Sequence, residues 1–180
     1  MRHARSCAVV DARVDDVQAY AAFATNNGMR ITHVIDTHVH ADHRSGGREL
    51  AQRTGAQYCL HESADVAFPF IPLRDVDTIE LGHTRLKVLH TPGHSPESLH
   101  DTLLTLPGDL EIYPGHFSGS LCGVGLSGKP TSTIAFERRW NPMLSLDRDA
   151  FIDAVGNVPA KPHEMEQILA FNRGGSEVGA

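Results

Sequence analysis

The stretch DTHVHADHRSGG, running from Asp36 to Gly47, crowds His38, His40, Asp42 and His43 together, with Gly46 and Gly47 close behind. Imidazole is the commonest metal ligand among side chains, and a carboxylate beside it completes a donor set for a cation. In an extended segment, residues two apart point to the same side, so His38 and His40 can reach one ion. Asp42 and His43 turn the corner before the glycines and face the same space from another side. Two later segments end in histidine after a Pro-Gly: TPGH at His94 and YPGH at His116. Each follows a strand-like run, and a histidine held just past a strand end by a rigid turn is well placed to point into a shared cleft. His38, His40 and His94 are therefore candidates for one metal. Asp42, His43 and His116 are candidates for a second site or for an outer shell that orients ligands and water, with Asp42 as the catalytic candidate. A single histidine is more often a surface or hydrogen-bonded residue; four ligand-type residues at this spacing have little packing rationale.

Those residues need elements to hold them. VDDVQAYAAFATNNG places Val14, Val17, Ala21 and Ala24 on one helical stripe and stops at Asn-Gly. MRITHVIDT is rich in β-branched residues and reads as a buried strand leading into the histidine motif. GGRELAQRTG reads as a short helix closed by Gly55, and AQYCLHE as a strand. DTIELGHTRLKVLHTPGH reads as two strands joined near Gly82, the second broken by Pro92-Gly93. SLHDTLLTL fits either helix or strand, and DLEIYPGH is a strand ended by Pro114-Gly115. STIAFERRW, DRDAFIDAVG and HEMEQILAFNRGG read as helices. The alternation is that of an α/β protein.

At 180 residues the chain fits one domain, residues 1–180, long enough for a hydrophobic core. Acids outnumber bases, 22 to 16, which argues against a nucleic-acid partner. No apolar run is long enough to span a bilayer, and MRHARSCAVVDAR carries too short an apolar patch for a signal peptide. Three widely spaced cysteines, Cys7, Cys59 and Cys122, do not form a disulfide framework and point to a reducing cytoplasm. Histidine stands out, with twelve copies.

The series THVHADH, TPGH and YPGH resembles the metallo-β-lactamase superfamily. Within it, DTHVHADHRSGGRELAQRTGA, YPGHFSGSLCG and KPTSTIAFERRWNPML are similar to the glyoxalase II and persulfide dioxygenase branch, especially bacterial persulfide dioxygenase-like members that often carry rhodanese domains. The resemblance runs from about Val9 to Phe171, and no rhodanese domain is present. It implies a metallo-β-lactamase-like αββα sandwich with the metal cleft at one edge of the two sheets. Relative to that family the chain looks shortened at the N-terminus and between His94 and His116. The segment missing there carries, in relatives, a strand pair and a metal-binding aspartate. Asp109 lies in a Gly-Asp, yet Pro107-Gly108-Asp109 reads better as the turn before LEIY, and Asp101 is a weaker substitute still. Lost strands expose sheet edges, which a homo-oligomer would cover.

The resemblance implies Fe(II), glutathione persulfide and oxygen, with sulfite and glutathione as products. The ligands present lean the other way, because two histidines and a carboxylate suit ferrous iron while three histidines with an open position suit zinc. The alternatives are therefore a glyoxalase II-type thioester hydrolase with one or two zinc ions, acting on a hydroxyacylglutathione, and a shortened, inactive relative that keeps the metal cluster. Either enzyme takes a small thiol-derived substrate. His33, His61, His83, His90, His100 and His163 match no ligand position and read as structural or exposed. Cys122 reads as an inert thiol before a sulfur-handling one, and Arg138 and Arg139 as a solvated helix face or an ion pair before a substrate clamp. Gly46 and Gly47 let the loop pass close to the metal and start the helix.

Overall fold

The computed structural model describes residues 5–90, 103–113, 131–156 and 164–175. Its contacts divide the chain into two compact units, Met1–His90 with Lys161–Ala180, and Thr91–Ala160. The first unit is built on strands β1 (Arg5–Val10), β2 (Met29–Ile35), β3 (Gln57–His61) and β4 (Ile71–Leu73), hydrogen-bonded in that order and all parallel. Parallel neighbours require crossovers. Helix α1 (Val17–Asn26), entered through a 3-10 turn at Val14–Asp16, makes the first, and α2 (Gly47–Thr54) makes the second. Both stop where the sequence says they should. Asn27 ends α1 before Gly28 at φ +63°, and Gly55 closes α2 at φ +70°, left-handed conformations that glycine adopts without steric cost.

Ala12, Val17, Ala24, Ile31, Val34, Leu50 and Ala51 form the core between these helices and the sheet. Cys59 and Leu60 point to opposite faces of β3, and both are buried, so the sheet is covered on both sides. The second cover is an antiparallel hairpin, β5 (Thr78–Leu81) and β6 (Thr84–Lys87), turned at Gly82 with φ +70°. Cys59, Leu73 and Ile79 are its buried centre. Cys7 and Cys59 are free thiols, and burial pushes Cys59 up to about 11. Cys122 lies outside the described residues. Among those described, no helix is long and apolar enough to cross a membrane.

The turn into β5 holds a misfit. Val76 sits at φ +63° with its side chain 64 % exposed. A β-branched residue in the left-handed region costs about 1–2 kcal/mol, and an exposed side chain recovers little by packing. Val76→Gly is expected to stabilise the protein by about 1 kcal/mol, read as a rise of a few degrees in Tm. An unchanged or lower Tm would show that Val76 contributes something this backbone does not reveal.

In the second unit, β7 (Glu111–Ile112) pairs antiparallel with β8 (Ser132–Thr133), and helices α3 (Ile134–Trp140) and α4 (Arg148–Gly156) follow. The Thr133 hydroxyl caps α3 by accepting from Phe136 N–H at 3.2 Å. Asp109 is exposed in the turn that precedes β7, where Leu110 N–H donates to the Pro107 carbonyl. Arg138 is committed inside this unit: its guanidinium donates to the carbonyls of Leu104 and Leu106. Arg139 lies over the Trp140 ring at 5.1 Å. Leu103–Thr105, in the segment that fitted either helix or strand, is a 3-10 turn.

Candidate metal centre

Strand β2 ends at Ile35, and residues 36–46 form the connection to α2. His38 and His40 are thus carried by a bent loop, not by the extended strand end that the two-residue spacing suggested. The rings still come together. His38 and His40 have centroids 4.3 Å apart, and His40 and His43 4.1 Å apart.

The neighbours fix which nitrogen of each ring keeps a lone pair. Ionised Asp11 can only accept, so its Oδ1, 3.0 Å from His40 Nε2, requires the proton on Nε2 and leaves the lone pair on Nδ1. Asp42 Oδ1 lies 3.2 Å from His43 Nδ1, which puts that ring's lone pair on Nε2. The single proton of the Thr37 hydroxyl goes to Asp11 Oδ2 at 3.0 Å, so the 2.9 Å contact with His38 makes Nδ1 the donor and Nε2 the lone-pair atom. Among the described residues, His40 Nδ1 and His43 Nε2 are both buried without a hydrogen-bond partner, His40 Nδ1 facing Asp42 Oδ1 at 3.7 Å. Stripped of water and given nothing in return, such atoms are costly unless something binds them.

A cation answers that need. Ligand atoms of His40, Asp42 and His43 lie within 4.8 Å of one another, a donor set of two imidazoles and a carboxylate. The residues present therefore fit a transition metal. His94 and His116 lie outside the described residues. A second cluster at the same spacing, Asp11, Asp36 and His40, backs the first.

Asp11 follows β1 at φ +53°, an uncommon conformation outside glycine, and it turns its carboxylate onto the loop. It accepts from Thr37 N–H at 2.7 Å as well as from the Thr37 hydroxyl. Burial raises its pKa, but the hydrogen bonds from His40 and Thr37 outweigh burial and hold the carboxyl below its usual range. A carboxylate on the far nitrogen of a candidate ligand orients the ring and raises its basicity. Asp36, 2 % exposed, accepts from the Ser45 hydroxyl and from Tyr58 Oη at 2.7 Å. Burial pushes both Asp36 and Tyr58 up, Tyr58 further through its Asp36 neighbour. From helix α5 (Met165–Asn172), Asn172 accepts from Ser45 N–H and donates to the carbonyls of His40 and His43, each at 2.8 Å.

Gly46 and Gly47 start α2, and their deeper reason is packing. A Cβ on Gly46 would meet Val17 Cγ2 at 2.5 Å and the Arg13 carbonyl at 2.6 Å; one on Gly47 would meet the Tyr58 ring at 2.5 Å. Asp11, Thr37, Ser45, Tyr58 and Asn172 did not emerge from the sequence as site residues. Asp11 closes an apolar run and Asp36 precedes the motif, but nothing local marks Asn172. The remaining described histidines fit structural or exposed roles: His61 and His90 stack at 3.9 Å and 12°, and His33 bonds to Thr32.

The Metallo-beta-lactamase superfamily profile matches residues 1–124. The chain belongs to the metallo-β-lactamase superfamily. Among its relatives, the persulfide dioxygenase ETHE1 (mitochondrial) of Homo sapiens is 25 % identical, with 95 % of this chain and 80 % of that protein covered. That alignment runs over 221 residues against the 180 of this chain, so the relative carries stretches that this superfamily member lacks. A hydroxyacylglutathione hydrolase of Anaeromyxobacter dehalogenans is 28 % identical, with 78 % of each chain covered. The crystal structure of ETHE1 from Myxococcus xanthus superposes with a TM-score of 0.82 over 96 % of this chain and 90 % of that one, at 24 % identity. The mixed α/β architecture is the metallo-β-lactamase fold.

Proposed function

We propose that this superfamily member is a metal-dependent enzyme of the persulfide dioxygenase type, in which a glutathione persulfide, dioxygen and water give glutathione and sulfite. The observation that carries the metal requirement is the pair of buried nitrogens, His40 Nδ1 and His43 Nε2, that have no hydrogen-bond partner among the described residues and lie beside the Asp42 carboxylate. The reaction class rests on similarity to persulfide dioxygenase ETHE1 over most of both chains. His38, His40, Asp42 and His43 would hold the ion together with His94 and His116. Bound there, ferrous iron would supply the oxygen chemistry that no side chain can. The chain's own residues do the rest. Asp11 keeps the proton on His40 Nε2 and turns the Nδ1 lone pair outward. Asp42 keeps the proton on His43 Nδ1 in the same way. Asp36, Ser45 and Tyr58 brace the loop from behind, and burial keeps water off the donor atoms. Because the first unit is made from both ends of the chain, we read residues 1–180 as one domain working in a reducing compartment.

The similarity to hydroxyacylglutathione hydrolases favours a second reading, a zinc-dependent thioester hydrolase. One set of measurements separates them: metal content of protein purified without added metal, then oxygen-electrode and thioester-hydrolysis assays. One iron per chain and persulfide-dependent oxygen uptake are expected. Two zinc ions with thioester turnover would replace the first reading by the second. Tight metal binding with neither turnover would mark an inactive relative, consistent with the stretches present in ETHE1 and absent here.

A further inference from the structure

The loop carrying the histidines has one isolated bridge, Ser45 to Arg13, at its end. Between His40 and Ser45 its backbone groups must find partners elsewhere or stand unsatisfied in a partly buried position. Asn172 supplies three. A side-chain amide offers two donors and an acceptor on one rigid plane, and here every one is used on this loop: Nδ2 on the carbonyls of His40 and His43, Oδ1 on Ser45 N–H, all at 2.8 Å. The residue is 8 % exposed. His40 and His43 carry the two open nitrogens, so the amide fixes the backbone beneath both candidate donors at once.

One ring contact also joins α5 to this loop, Arg44 over the Phe171 ring at 5.0 Å. A cavity of about 260 Å³, lined by Val14, Ser45, Gln52, Tyr58, Phe171 and Asn172 among others, lies where side chains would otherwise close the space. The helix end is also held away from the loop, by the Arg173 carbonyl accepting from Ala67 N–H at 2.8 Å. We propose that Asn172 is a positioning residue that transmits the placement of α5 to the metal loop and so sets metal affinity. The proposal rests on the reading of His40, Asp42 and His43 as metal-holding residues. Metal affinity is therefore a property of the first unit as a whole, including a helix far from the motif in sequence.

The test is titration of the full chain with cobalt(II) alone, followed by its d–d absorption and by competition with a chelator. Asn172→Asp keeps size and the acceptor but places an anionic oxygen against two carbonyls. It is expected to bind cobalt 10–100-fold more weakly, the range typical for lost outer partners of metal sites, with shifted band positions, while its far-UV circular dichroism matches the wild type. A folded Asn172→Asp protein with unchanged affinity and spectrum would overturn the proposal. Should that variant not fold, Asn172→Ser, too short to span the loop, is read by the same two criteria. Wild-type protein that binds no cobalt would instead remove the metal reading of the loop, and the clamp with it.

Discussion

Replacing His40 by alanine is expected to lower metal affinity by more than about 100-fold, beyond the 10–100-fold that outer partners usually carry. His40 is 2 % exposed and central: its ring lies between those of His38 and His43, and its two nitrogens face different duties. Nε2 is spent on Asp11, while Nδ1 is the buried atom with no hydrogen-bond partner among the described residues. The substitution therefore removes a donor and also frees the carboxylate that oriented it. Asp11→Asn, which preserves shape but weakens the pull on the Nε2 proton, is expected to fall between wild type and His40→Ala. Chelator competition combined with elemental analysis measures both. A His40→Ala protein that still holds metal at wild-type stoichiometry and affinity would place the ion elsewhere.

Gly46→Ala is expected to cost about 3 kcal/mol, at the upper end for overpacking, and to lower Tm by roughly 10 °C. The added methyl has nowhere to go. Val17 is stiff at χ1 and buried, and the second obstacle is the Arg13 backbone, so no side chain can swing aside. Relief requires the loop to separate from the exit of β1. That breaks the Gly46 N–H bond to the Ala12 carbonyl at 2.7 Å and the Val14 N–H bond to the Arg44 carbonyl at 3.0 Å. Gly82→Ala is the contrast, because that glycine faces open space and is needed only for its φ of +70°. Its expected cost is about 1 kcal/mol. Equal losses at the two positions, by thermal or denaturant unfolding, would show that backbone conformation and not crowding explains Gly46.

The elements that position the loop were legible where sequence and local physics agree. Asn27-Gly28 stopped α1, Gly55 closed α2, Gly82 turned the hairpin, and the β-branched run before Asp36 became β2. Strand β4 was not visible, because Ile71–Leu73 is too short for any alternation and contains a proline. The clustering of His38, His40, Asp42 and His43 was legible from residue type and spacing, whereas the way the backbone presents them was not. Reading two-residue spacing as a strand put His38 and His40 side by side for the wrong reason; the loop bends, and Thr37 and Asp11 do the aligning. Asn172 lies 132 positions from the carbonyl it binds at His40, and no local pattern encodes such a contact. His94 and His116, expected to point into the same cleft, lie outside the described residues.

That same span of 132 positions has a temporal meaning. A ribosome exposes the histidines long before it makes the amide that braces them, and the parallel strands beside them can only pair across helical crossovers. Long-range pairings of this kind make refolding slow, on the scale of milliseconds to seconds. The newborn chain thus exposes His38, His40 and His43 before the amide that fixes their backbone has been made.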